Sequence, residues 1–276
     1  MKVYNIISYF KEELIVVANE REVISWAYLI IKHVLGLSRS DTIVYANKVI
    51  GLEDFNLIRQ MVHELKQNRP IQYILQETEF LGRKFKVNKH TLIPRPETEE
   101  LVEWILKEDF SSALDVGTGS GCIAVSLAVN TNALITAIDV SDSTLDVAKK
   151  NAILNKVKIN FLKQDIFKDY VLPKVDIIVS NPPYVLESEK KIMSNNILNY
   201  EPDIALFVSD NNPLIFYERI GFLALKFLNS GGKLFFEINE RFSNDIIEVL
   251  TLFGFVDIEL KKDINDKDRM IKAIKK

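Results

Sequence analysis

Apolar positions recur along the first part of the chain at helical spacing. Ile24, Ala27, Ile31 and Val34 with Leu35 share one face, and Gly36 stands where such a helix would stop. Leu52, Phe55, Ile58, Met61, Val62 and Leu65 make a second apolar face, with Ser40 and Asp41 before it at a cap or turn position. This pattern predicts a small helical domain over residues 1–75, with Asn68-Arg69-Pro70 as punctuation near its end. The period then changes to two. Glu79 to Val87 reads as a hairpin with Gly82 in its turn and Phe85 and Val87 alternating, inside a connector over 76–92.

Pro96 suits the first turn of a helix, and Glu97, Glu99 and Glu100 suit its positive end. Leu101, Val102, Trp104, Ile105 and Leu106 give that helix an apolar face. From Ala113 onward, short apolar runs alternate with helical stretches. Strands are predicted near 112–116, 133–139, 157–162, 174–180, 232–238, 254–260 and 269–274, with helices in most gaps. Such alternation predicts an α/β domain over 93–276, built on a mostly parallel sheet with helices on both faces.

Composition narrows the class. The chain has 276 residues, 47% of them hydrophobic and 26% charged, with a formal net charge of −3. That suits a globular protein with a sizeable core and argues against a strongly basic grip on long nucleic acid. The single cysteine, Cys122, excludes internal disulfides and cysteine-based zinc sites. His33, His63 and His90 lack metal-ligand spacing, so no metal is expected. Lys11-Glu12-Glu13 breaks the first apolar run, so no signal peptide is expected. The longest uncharged run, Val116 to Ile138, is divided by Gly117, Gly119, Gly121, Asn130 and Asn132, and no membrane segment is expected.

Chemistry gathers at the ends of the predicted strands. After the buried run Val175 to Val179 comes Asn181-Pro182-Pro183-Tyr184. Two prolines forbid helix and supply no N–H, leaving a stiff loop of acceptors: the Asn181 side-chain oxygen and free backbone carbonyls. Such a loop can receive an NH2 group on a planar partner, with Tyr184 as a stacking face. Alone, it also reads as a strand-ending turn with a core tyrosine. Leu114-Asp115-Val116-Gly117-Thr118-Gly119-Ser120-Gly121 joins a strand to a helix, and its glycines let a ligand approach the backbone. The spacing is neither Gly-x-Gly-x-x-Gly nor a P-loop. Asp139 ends the next strand 18 residues after Gly121, where an acid can bind a ribose diol; alone, it also reads as a helix cap before Ser141. Asp165-Ile166-Phe167 follows the third strand and could hold the edge and face of an adenine. Pro94-Arg95-Pro96 makes a rigid ledge with one arginine.

In this order the set resembles a class I S-adenosylmethionine-dependent methyltransferase. Further stretches sharpen the likeness: Arg69-Pro70-Ile71-Gln72-Tyr73, Leu92-Ile93-Pro94-Arg95-Pro96-Glu97-Thr98-Glu99, Ser180 to Tyr184, Tyr200-Glu201-Pro202 with Ala205-Leu206, and Gly231-Gly232 before a strand ending in Phe236-Glu237. Together they resemble the peptide chain release factor glutamine N5-methyltransferase family (HemK/PrmC type) over nearly the whole chain. The resemblance implies a seven-stranded Rossmann-like sheet with its last strand antiparallel, and a helical N-terminal domain that recognises substrate. It implies S-adenosylmethionine as cofactor and S-adenosylhomocysteine as product. Gly117, Thr118, Gly119, Ser120 and Gly121 would approach the methionine moiety, Asp139 the ribose, Asp165 and Ile166 the adenine, with Asn181 beside them.

The implied acceptor is the glutamine of a Gly-Gly-Gln motif in class 1, bacterial-type release factors, whose methylation tunes translation termination. Asn181 and the Pro182 carbonyl would accept its two N–H bonds, with Pro183 and Tyr184 against the amide plane. By the same resemblance Leu92, Thr98, Glu100 and Glu237 would line the glutamine pocket. A cytoplasmic monomer touching neither membrane nor nucleic acid is expected. Family members often carry Gly after the acidic strand end and Gln soon after, whereas this chain runs Glu237-Ile238-Asn239-Glu240-Arg241-Phe242-Ser243. The competing readings are an amino-methyltransferase acting on adenine or cytosine in nucleic acid, on a flipped base, and a noncatalytic cofactor binder.

Overall fold

The computed structural model describes residues 1–168 and 171–276. Five helices come first: α1 (Val3–Leu14), α2 (Glu20–Leu35), α3 (Arg39–Val44), α4 (Leu52–Lys66) and α5 (Ile71–Leu75). The strands β1 (Glu77–Phe80) and β2 (Arg83–Lys86) follow. Then come α6 (Pro96–Ile105), β3 (Ser112–Val116), α7 (Cys122–Asn130), β4 (Leu134–Asp139), α8 (Asp142–Leu154), β5 (Asn160–Lys163) and β6 (Val175–Ser180). An excursion holds β7 (Val185–Leu186), α9 (Asn195–Tyr200), α10 (Asp203–Leu206) and β8 (Phe207–Val208). The chain ends with α11 (Ile215–Phe227), β9 (Leu228–Glu237), α12 (Ser243–Leu252), β10 (Phe255–Lys262) and β11 (Asp268–Lys275).

Two compact units result. The first comprises residues 1–76 with 194–200, the second 77–193 with 201–276. In the first unit the buried stripe of α2 is Val23, Ala27, Ile30 and Ile31, one position off the expected Ile24, and it packs with Ile6, Phe10, Ile58 and Leu65. Gly36 ends α2 in the left-handed region (φ 68), as its position suggested. The cap of α3 is Ser38, whose hydroxyl accepts from Asp41 N–H while Asp41 reaches back to Ser38 N–H. Tyr200, at the end of α9, donates its hydroxyl to the Gln67 carbonyl at 2.9 Å. Among the described residues no helix is long and apolar enough to cross a membrane.

The second unit is built on a seven-stranded sheet in the order β10-β11-β9-β6-β3-β4-β5. β11, the last strand in the chain, runs antiparallel to both neighbours, and β9, β6, β3, β4 and β5 pair in parallel. Alternation along the strands feeds two cores. Leu114, Val116, Ile178, Leu234 and Phe236 meet α11 and α12 on one face. Ala113, Ile177, Val179 and Phe235 meet α6, α7 and the hairpin on the other. The hairpin belongs to this unit, and Glu99 of α6 accepts the Leu81 N–H of its turn at 2.8 Å.

β5 begins later than its apolar run suggests, at Asn160 instead of 157. Lys156 takes the left-handed region (φ 59), and Val157 N–H bonds the Ala152 carbonyl at 3.0 Å, so these residues close α8. Strand order reverses at β3, with β4 and β5 on one side and β6 on the other. Ligands in such sheets bind at the carboxyl ends of the strands beside that reversal.

Candidate active site

A cavity of about 390 Å³ opens there, a size typical of small-molecule sites. One wall is the loop after β3. Gly117 (φ 73) and Gly119 (φ 56) adopt a backbone conformation that side chains rarely accept. A Cβ on either would meet no protein atom within 4 Å, so the main chain stands bare toward the cavity. Gly121 has a different reason. It does not line the cavity; a Cβ there would lie 3.1 Å from Ala148 Cβ, so its absence lets α7 and α8 approach. Thr118 and Ser120 complete the wall.

Carboxylates hold this loop. Asp115 Oδ2 accepts from Thr118 Oγ1 at 2.6 Å and from Ala124 N–H at 3.2 Å. Its Oδ1 is buried and finds no donor among the described residues. Burial, with the charge of Asp139 adding, pushes the Asp115 carboxyl up to about 7. Asp139 lines the cavity and spans loop and helix: Oδ2 accepts from Gly119 N–H at 3.0 Å, Oδ1 from Ser141 N–H at 3.1 Å. Burial raises its carboxyl as well, against those backbone donors. Each oxygen keeps a second lone pair for a hydroxyl.

The far end of the cavity is formed by Asp165, Ile166 and Phe167. Asp165 Oδ1 accepts from Phe167 N–H at 3.0 Å, which folds the segment into a tight turn. Arg219, reaching from α11, clamps the same segment by donating to the carbonyls of Ile166 and Lys168. Nothing near Arg219 in the chain marks it for this. Asn151 was equally silent in the sequence. Fully buried in α8, it donates to the carbonyls of Ser120 (2.8 Å) and Lys86 (2.9 Å) and accepts from Lys86 N–H (2.6 Å).

The near end brings together the segment after β6 and the start of α6. Asn181, Pro182, Pro183, Leu92 and Thr98 line it. Asn181 Nδ2 donates to Thr98 Oγ1 at 3.2 Å, and Thr98 Oγ1 donates to Glu237 Oε2 at 2.6 Å. The Tyr184 hydroxyl donates to Glu237 Oε1 at 3.1 Å. Glu237 is 1% exposed and does not line the cavity; it stands behind Thr98, its carboxyl raised by burial. Tyr184 does not line the cavity either: its phenol turns to that buried carboxylate, and burial, with the Glu237 charge adding, holds it above the usual tyrosine range. Its ring, partly buried, packs against the core.

Glu100 is a correction. It lies two positions beyond Thr98, about 200° around the helix, and its Oε1 accepts from Ile264 N–H at 3.0 Å, away from the cavity. The segment Glu237–Ser243, where the chain departs from the family pattern, supports Tyr184: Asn239 Nδ2 donates to the Tyr184 carbonyl at 3.2 Å, and its Oδ1 accepts from Arg241 N–H. Arg95 lines the cavity and pairs with Glu201 at 2.5 Å, while Glu201 Oε2 accepts from Ile93 N–H at 3.1 Å. The Pro-Arg-Pro ledge is thereby strapped to the start of α10, whose Ile204 and Ala205 close the rim.

Comparison with known proteins agrees with this geometry. The family described as methyltransferase small domain matches residues 96–201, and the PrmC N-terminal domain matches residues 7–75. A Flavobacterium psychrophilum protein named release factor glutamine methyltransferase is 46% identical over 284 residues, covering 99% of each chain. A Bacteroides thetaiotaomicron protein of the same name is 41% identical over 273 residues, covering 97% of this chain and 98% of its own. Among solved structures, a methyltransferase from Pyrococcus furiosus shares the fold with a TM-score of 0.56, at 20% identity, over 79% of this chain and 98% of its own. With near-identical length and two-fifths or more of its residues shared with these relatives, the chain belongs to the release factor glutamine methyltransferase family.

Proposed function

We propose that this protein methylates the side-chain amide nitrogen (N5) of the glutamine in the Gly-Gly-Gln motif of class 1, bacterial-type release factors, with S-adenosylmethionine as donor. The relatives' names supply the substrate class. One observation about this chain carries the chemistry: the near wall of the cavity offers acceptors. With Asn181 Nδ2 bonded to Thr98, Asn181 Oδ1 is the end of a cavity-lining side chain with no donor among the described residues, and the neighbouring Pro182 carbonyl lies between two prolines, neither of which supplies an N–H. Two acceptors side by side suit the two hydrogens of an NH2 group.

S-adenosylmethionine, when bound, supplies a methyl group on a positively charged sulfur. The residues present fit that ligand. The bare backbone at Gly117 and Gly119 admits it closely, Asp139 has lone pairs for ribose hydroxyls, and Asp165 with Ile166 offers an acceptor and an apolar face for adenine.

A carboxamide nitrogen is a poor nucleophile because its lone pair is delocalised. The chain's own contribution is therefore to fix both N–H bonds, aim the nitrogen and exclude water. Asn181 and Pro182 do the fixing, and Leu92 and Pro183 flank the amide. Glu237 acts from behind Thr98. The helical unit serves recognition of the release factor, and the enzyme works as a monomer in the cytoplasm, where its substrate is found. Peptide mass spectrometry of a treated release factor tests the reading: one added methyl group on the motif glutamine is expected, and an unmodified glutamine after exhaustive treatment would reject it.

A further inference from the structure

An asparagine amide has two ends of nearly the same shape and opposite polarity. One accepts hydrogen bonds and the other donates them. A pocket for an NH2 group works only if the accepting end is presented, and nothing within Asn181 selects that end. Its neighbours do. Glu237, buried at the end of β9, accepts from Tyr184 Oη at 3.1 Å and from Thr98 Oγ1 at 2.6 Å. A hydroxyl carries one hydrogen. With that hydrogen committed to Glu237, Thr98 can only accept from Asn181, and it does so from Nδ2 at 3.2 Å. Nδ2 is thereby turned toward Thr98, and Oδ1 is left for a ligand.

We propose that Thr98 and Glu237 are positioning residues for the methyl transfer: they hold the Asn181 amide with Oδ1 presented to the acceptor nitrogen. The inference rests on the glutamine-amide reading and names what enforces it. The polarity of the chain starts at the carboxylate. The charge of Arg269, which donates to the Ile238 carbonyl and pairs with Asp263, favours that carboxylate, while Glu97 and burial oppose it. Tyr184 is held in place to donate by Asn239 on its carbonyl. Tyr217 donates its hydroxyl to the Glu237 backbone carbonyl at 3.3 Å, which fixes the strand end itself. Glu237 thus acts on the substrate through Thr98 and Asn181.

The test is a double-mutant cycle on the full chain, read with labelled methyl donor and a release factor. Thr98→Val keeps the shape and removes the hydroxyl. It should lower kcat about tenfold, the worth of one oriented hydrogen bond, with KM and donor affinity by calorimetry within about twofold. Thr98→Ser should stay within about threefold of the unaltered protein. In an Asn181→Ala background, adding Thr98→Val should cost less than about twofold, because the amide it orients is gone. An equal loss in both backgrounds, or less than about threefold from Thr98→Val alone, would overturn the inference. Weakening of donor binding by Thr98→Val beyond about twofold would likewise overturn it, and Thr98→Ala serves in the same cycle only if Thr98→Val does not fold. Failure of the unaltered protein to methylate any release factor would instead overturn the function proposed above, and this inference with it.

Discussion

Asp115→Asn should change how stability depends on pH, and by an amount the structure sets. Asp115 is 1% exposed, and among the described residues only one of its oxygens has donors. Burial lifts its carboxyl from the ordinary 3.8 to about 7. The folded protein therefore holds a proton that the unfolded chain releases between those values. By linkage, stability from this residue is fully present below pH 3.8 and falls as pH rises toward 7. A shift of about 3 units at ~1.4 kcal/mol each gives a loss of about 4 kcal/mol. Asparagine keeps an oxygen for Thr118 and Ala124 and never ionises. Its NH2 takes the place of the unpartnered oxygen, at a pH-independent cost of about 1–3 kcal/mol.

Urea unfolding of both ligand-free proteins from pH 4.5 to 8.5 measures this. The variant should start less stable, cross the parent protein and end more stable, a relative gain approaching ~4 kcal/mol. Glu237, raised in both proteins, cancels in the difference, and Asp139, whose charge adds to the Asp115 shift, enters it only as the smaller contribution after burial. A difference constant to within ~1 kcal/mol across the range would refute the reasoning.

Other consequences are equally direct. Asn181→Ala should lower kcat about 10²–10³-fold while donor affinity changes little, since one preorganised acceptor is lost; steady-state kinetics with calorimetry separate the two, and a loss under about tenfold would remove Asn181 from its role. Gly121→Ala should destabilise the protein by about 1–3 kcal/mol in denaturant melts, from a left-handed backbone and a Cβ 3.1 Å from Ala148 Cβ. Glu201→Ala should lower thermal stability by about 1–3 kcal/mol, because the Arg95 pair and the Ile93 N–H lose their acceptor. At saturating donor, kcat should fall on the acid side at a pH above the ordinary glutamate value of 4.5. A protonated Glu237 can donate to Thr98 and reverse the chain, so a pH–rate profile of Thr98→Val should lack that limb.

Much of this was legible in the sequence because it lies in local pattern. The run Val175 to Val179 is apolar apart from Asp176, as suits a central parallel strand, and the prolines after it leave no other reading of the backbone. The glycine loop and Asp139 sit at the ends of adjacent strands, so their pairing follows from order alone. What stayed hidden depends on contacts across the chain. Thr98 and Glu237 are 139 residues apart, and no spacing rule links them. Glu100 was expected beside Thr98 from the family resemblance, but two positions along a helix send the two to different sides. That the Tyr184 hydroxyl would find its acceptor in Glu237, 53 residues away, no local pattern told. Arg219 and Asn151 bond to carbonyls, which any residue type displays, so sequence carries no mark of their partners.

The central claim is that the acceptor loop serves a glutamine amide in a release factor. Methyl-labelled donor, the purified protein and three acceptors test it together: a full-length bacterial-type release factor, the same factor with Gln→Ala in its Gly-Gly-Gln motif, and duplex DNA. The account predicts label on the unaltered factor alone. Label on the Gln→Ala factor or on DNA would contradict it.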